Sequence, residues 1–123
     1  MNLNKLEENI IMTYQDIRDQ ISAALLKHRG VAMMNREQIF EYLAELVAIS
    51  DQLIDFIRKL DRQIAETEKS TRERCDGCSA AMLAQQIKSN TSVFIADKDW
   101  ANKQLAILKD LRITALAAQR TTE

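Results

Sequence analysis

The chain has 123 residues, with 17 lysines and arginines against 18 aspartates and glutamates. That length fits one domain, and a formal net charge of −1 supplies no global pull toward nucleic acid or an anionic membrane. There is no proline, and the only glycines are Gly30 and Gly77, so little in the interior forces a helix to stop.

A first helix is expected over about residues 4–29. Asn4, with Glu7 three residues on, fits a variant of the capping box. Leu3, Ile10, Ile17 and Ala24 recur every seven residues, and Leu6, Tyr14, Ile21 and Leu25 widen that stripe into a core-facing band. Lys27, His28 and Arg29 place positive charge in the last turn, where it complements the helix dipole. Gly30 comes next, at the position that favours a left-handed C-cap.

A second helix is expected over about residues 35–72. Asn35 and Gln38 form a capping box, and Met34 is placed to pack on Ile39 as a hydrophobic staple, with Met33 beside it. Ile39, Leu46, Leu53 and Leu60 recur at sevenfold spacing, flanked by Phe40, Leu43, Val47, Ile54, Ile57 and Ile64. Tyr42, Ile49 and Phe56 extend the band on the other side. A face this wide can touch two neighbours, so the helix is central to a bundle or shared with another chain. Past Ile64 the pattern fades into Glu66, Glu68, Lys69, Arg72, Glu73 and Arg74, and solvated last turns are expected.

Cys75-Asp76-Gly77-Cys78-Ser79 is a turn signal, and Ser79 can cap a third helix. Ala80, Ile87, Phe94, Ala101, Leu108 and Ala115 keep sevenfold spacing through the polar patch Ser89-Asn90-Thr91-Ser92. That unbroken phase predicts one long helix over about residues 79–118. A break near 89–92 is the alternative, since Ser92-Val93-Phe94-Ile95 has weak helix propensity. The fold class is therefore all-α: a single domain, 1–123, forming an elongated antiparallel helical bundle or coiled-coil hairpin of three long helices. The first helix is too short to cover the hairpin, so part of the apolar face of helix two is expected to stay open, which marks an interface.

Cys75 and Cys78 form the only short chemical motif, C-x-x-C. Two thiolates at this spacing can grip one metal ion or close a small disulfide ring. A zinc site takes about four ligands. With no second C-x-x-C and one histidine, His28, these cysteines would hold metal only if shared between two chains at their hairpin tips. A thioredoxin-like role lacks its strand–helix context. The N-terminus shows no basic start with an apolar run, and no stretch reaches the roughly 18–20 apolar residues that span a bilayer. The expectation is a cytoplasmic protein with two reduced cysteines at a turn and no membrane partner.

No Glu-x-x-His pair, glycine-rich phosphate loop or nucleophile–base pair is present in the sequence, which predicts a non-enzymatic protein without a cofactor. Glu37, Glu41 and Glu45 share one helix face, with Asp51 and Asp55 continuing near it. Like charges at this spacing repel, so bases from another helix or a partner would relieve them. Residues 31–68 hold eight acids against four bases and residues 79–123 hold six bases against four acids, as an acidic helix beside a basic one would. Asp55 with Lys59 reads as a surface ion pair. Lys98, Lys103, Lys109, Arg112 and Arg120 interleave with Asp97, Asp99 and Asp110, which argues against a phosphate-binding face. Trp100 is expected in half-buried packing, with a partner-facing anchor as the alternative.

The functional expectation is a protein–protein interaction module of the assembly-factor, chaperone, scaffold or inhibitor type, acting through helix faces as a homo-oligomer. Its candidate contact residues are Phe40, Glu41, Glu45, Val47, Ile54 and Trp100. The alternatives are a metal- or redox-responsive dimer using Cys75 and Cys78, and a weak nucleic-acid-binding accessory protein using the last helix.

Overall fold

The computed structural model describes residues 3–122, with side chains described for Ile10 and for residues 13–120. Three helices occur in order: α1 (Leu3–His28), α2 (Arg36–Arg74) and α3 (Ala80–Thr122), with a 3-10 turn at Val31–Met33 between the first two. With 39 and 43 residues, α2 and α3 are rods of roughly 58 and 64 Å. They pack antiparallel, as the Asp61–Lys98 ion pair at 2.7 Å and the Asn90–Thr71 hydrogen bond at 3.1 Å fix. α1 lies antiparallel to α2: Gln20 and Gln52 exchange hydrogen bonds at 2.8 and 3.0 Å, and Lys27 meets Glu45 at 2.7 Å. Tyr14 packs on Trp100 with ring centroids 4.5 Å apart, docking α1 on α3.

The core obeys the heptad pattern. Ile39, Tyr42, Leu46, Ile49, Leu53, Phe56 and Leu60 form one seam of alternating three- and four-residue steps, every member at most 4% exposed. Ile10, Ile17, Ile21 and Ala24 of α1 and Ala101, Leu108 and Ala115 of α3 close on it. Each fully buried large side chain contributes about 1.5–3 kcal/mol by leaving water, so this seam carries the stability of the bundle.

The capping box that opens α2 is present, with Gln38 N–H on Asn35 Oδ1 at 2.8 Å and Asn35 N–H on Gln38 Oε1 at 2.9 Å. Met34 is half-buried against the core cluster and Ile39 is fully buried. The Asn4–Glu7 box and the side chains of Leu3 and Leu6 lie outside the described residues. α3 is continuous through 89–92. Its polar patch is absorbed without breaking the helix. Thr91 and Ser92 hydroxyls donate back to the carbonyls of Ile87 and Ser89, and Asn90 reaches across to Thr71.

Two local expectations fail. Gly30 has φ −99°, outside the left-handed region, because i→i+3 bonds from Arg29 and Gly30 tighten the end of α1 into the 3-10 turn. That turn buries Val31. Among the described residues the positive-φ glycine is Gly77, at φ 84°. Leu25 is 42% exposed rather than core-facing, because the α1 seam steps from Ile21 to Ala24 and then to His28. Among the described residues no helix is long and apolar enough to cross a membrane.

Candidate functional site

One position past Ile39, Leu46 and Leu53 stand Phe40, Val47 and Ile54, 49%, 40% and 39% exposed. A step of seven is two helical turns, so the three side chains form a straight row beside the buried seam. Leu43 and Ile57 lie between the row and the core, half-buried against it. The next residue in the row is Asp61, which pairs with Lys98. The row therefore runs along the outer margin of the α2–α3 junction. Stepping by seven from that ion pair places Ile54 level with Leu105, Val47 with Arg112 and Phe40 with Gln119. The Arg36 guanidinium sits 5.6 Å from the centroid of the Phe40 ring.

The six residues expected to meet a partner do not converge. Phe40, Val47 and Ile54 share the row, and Glu41 is exposed one position beyond Phe40. Glu45 faces α1 instead, where Lys27 holds it at 2.7 Å. The acidic row thus divides, because α1 supplies the base that one of its members needs. Trp100 lies at the α1–α3 contact against Tyr14. Asp55 pairs with Arg58 at 3.7 Å rather than with Lys59.

One polar link, level with the Phe40 end of the row, was not legible in the sequence. The Tyr42 hydroxyl lies 2.7 Å from His28 Nδ1 and donates to the Ala24 carbonyl at 3.3 Å. Burial, reinforced by the nearby Glu45 carboxylate, pushes the Tyr42 phenol up to about 12. His28 is thereby the last residue of α1 and also its latch onto α2. The signal for it is the heptad step from Ala24 to His28, which the charge of a helix-end histidine masks.

Toward the hairpin turn the core becomes polar. Gln63 and Thr71 of α2 and Thr91 of α3 are buried, and Gln63 and Thr71 bond to the Thr67 hydroxyl and carbonyl. Beside them a cleft of about 530 Å³ opens between α2 and α3 at the level of Ile10, lined among others by Thr67, Asn90, Phe94 and Asp97. Burial raises the Asp97 carboxyl above its ordinary range. No buried side-chain polar atom in the described residues lacks a hydrogen-bond partner.

The turn itself corrects another expectation: Cys75 and Cys78 are joined in a disulfide, not two separate thiols. Gly77 in the left-handed region and the Cys78 N–H on the Cys75 carbonyl at 3.1 Å fold the four residues tightly, bringing the two Cα atoms to 5.3 Å. Sulfurs bonded to each other offer no thiolate to a metal, so the pair could ligate one only after reduction. Among the described residues no three His, Cys, Asp or Glu side chains gather where an ion could be held. Comparison with protein-family models, with curated proteins and with solved structures found no match to this chain.

Proposed function

We propose that this chain is a non-enzymatic protein–protein interaction module whose docking row is Phe40, Val47 and Ile54 on α2, and that a second copy of the chain occupies it. The observation that carries this reading is the exposure of three large apolar side chains in helical register, beside apolar rows of α2 that are buried or half-buried. Single exposed apolar residues are ordinary, whereas an aligned row presents a continuous strip that a facing helix can cover.

Charge along α2 supports self-pairing. On its first half Glu37, Glu41, Asp51 and Asp55 are exposed against Arg36, and on its second Arg58, Lys59, Arg62, Lys69, Arg72 and Arg74 are exposed against Asp61, Glu66 and Glu73. Two α2 helices laid antiparallel about a two-fold axis near the middle of the helix, at about residue 55, would set the acidic half of each toward the more basic half of the other and lay each row along about residues 56–70 of its partner. Three apolar residues alone are small against the ~800 Å² per partner of a standard interface, so these charged flanks must join the contact. In that arrangement the row gives affinity and the flanks give register.

Sedimentation equilibrium tests the reading. The wild-type protein is expected above its 14.1 kDa monomer mass, and Val47→Glu is expected to return it to that mass with an unchanged far-ultraviolet circular dichroism spectrum. Glutamate is a good helix former, so the substitution spares the helix. A wild-type chain that stays monomeric at every concentration would overturn self-association.

A further inference from the structure

We infer that the Cys75–Cys78 pair is a thiol–disulfide exchange site whose exchange partner is a small-molecule thiol, with Cys75 as the sulfur attacked and Cys78 as the sulfur released. This stands apart from the docking row, which lies at the opposite end of α2.

Three observations lead there. The first is that the bond has little structural work to do. A cross-link stabilises more as the loop it closes lengthens, and this one joins residues three apart in sequence. The turn is already held by Cys75 N–H on the Thr71 carbonyl, Cys78 N–H on the Cys75 carbonyl, and Met82 N–H on Ser79 Oγ. The helices it connects are clamped elsewhere, by the buried seam.

The second is access. Counting back from Gln20 opposite Gln52, α1 runs out at about residue 69 of α2, so among the described residues α2 and α3 alone reach the turn. Both cysteines are partly exposed, and Arg74, Asp76, Gly77 and Ser79 around them are exposed. Neither cysteine belongs to the buried core cluster.

The third is electrical asymmetry. Cys75 is the C-cap of α2, beside the negative end of a 39-residue helix. Cys78 directly precedes Ser79, whose hydroxyl caps the first turn of α3, so it lies at the positive end of a 43-residue helix. A helix N-terminus favours a thiolate and a C-terminus disfavours one. Asp76 lies between the two cysteines, while Arg74 lines the cleft between the helices. The sulfur with the lower pKa is the better leaving group, which selects Cys78.

In the exchange, a thiolate attacks Cys75 Sγ, the Cys75–Cys78 bond breaks, and Cys78 leaves as a thiolate, which takes up the proton the attacking thiol gave to water. A second thiolate attacks the outer sulfur of the mixed disulfide on Cys75, forming a disulfide of the small thiol and releasing the Cys75 thiol. Two thiols thus supply two electrons and two protons to the pair, and the reverse sequence reoxidises it.

The test uses the full chain with glutathione. Millimolar reduced glutathione is expected to open the bond in the native protein without loss of helical circular dichroism. Cys78→Ser exposed to oxidised glutathione is expected to hold a stable adduct on Cys75, located by mass-spectrometric fragmentation. In the reduced wild-type protein at neutral pH, iodoacetamide is expected to alkylate Cys78 at least about threefold faster than Cys75. A bond that opens only in denaturant, helicity that disappears with the bond, or faster alkylation of Cys75 would each overturn the assignment.

Discussion

The two ends of the α2–α3 pair share one sequence rhythm and differ in what that rhythm buries. Between Ile39 and Leu60 each seam position is apolar and sealed, with Ala101, Leu108 and Ala115 fully buried opposite. Past Leu60 the same steps carry Gln63, Thr67, Ser70 and Arg74, and across from them Phe94, Ile87 and Leu83 are only half-buried and Ala80 is exposed. The side chains on those steps account for more of the difference than the reach of α1, which by its Gln20–Gln52 register runs beside α2 from about residue 44 to about residue 69 and ends just short of the turn. Sevenfold spacing therefore specifies which side chains point at a neighbour, while the seal depends on what those side chains are. Apolar steps close the body of the bundle, and toward the tip, where the steps turn polar and α1 runs out, a cleft and hydrogen-bonded polar groups remain.

The sharpest way to break this comparison is to cut one side chain from each end. Phe56→Ala, at a fully buried site, is expected to cost about 3–5 kcal/mol. Ile87→Ala, the same kind of truncation on a half-buried residue of the tip, is expected to cost well under half of that, about 1 kcal/mol, because most of the removed surface was never sealed. Urea unfolding midpoints at constant m-value measure both. Equal losses would mean the tip is as tightly packed as the body.

The next largest effect concerns the latch between α1 and α2. Tyr42→Phe removes the hydroxyl that meets His28 and the Ala24 carbonyl, and is expected to cost about 1 kcal/mol at neutral pH. The alkaline limb adds a signature. The folded protein holds the phenol proton more tightly than the unfolded chain, since the group titrates at about 12 rather than 10.0. Its contribution is whole below pH 10 and is lost as pH rises through about 12. The variant lacks that loss, so the stability gap between the two proteins should close over this range, as thermal melts at stepped pH would record.

Much of the body was legible in the sequence because several signals agreed there. The α2 seam, its capping box and the continuity of α3 all came from spacing and cap chemistry, which are local properties of the chain. The misreadings share a different cause. Gly30 fits a left-handed cap by residue type, yet its conformation was decided by Val31 reaching the core one residue later. His28 and Glu45 looked like surface charges, yet Tyr42 and Lys27 met them from another helix. For the cysteines, spacing permits both a dithiol and a disulfide, and the choice fell to the turn geometry that Gly77 creates. On the candidate surface, Phe40, Val47 and Ile54 were legible as one row, while Trp100 could be placed only once the α1–α3 contact was known.

The smallest expected effect tests the polar tip most directly. Asp97 is half-buried at the cleft, and burial alone raises its carboxyl above 3.8. The folded state then binds that proton more tightly than the unfolded chain does. The stability it brings is full below pH 3.8 and declines as pH rises through the folded value, because a carboxylate must then be kept in a site that favours the neutral acid. Asp97→Asn keeps the shape and stays neutral at every pH. The variant should therefore melt slightly higher than wild type at pH 7, and the difference should vanish by pH 3. An equal gap at both pH values would trace the gain to packing. A wild type that is the more stable at pH 7 would mean that Arg74, on the same cleft, stabilises the charged form more than burial opposes it, and the tip would then be held by an ion pair instead of by neutral polar groups.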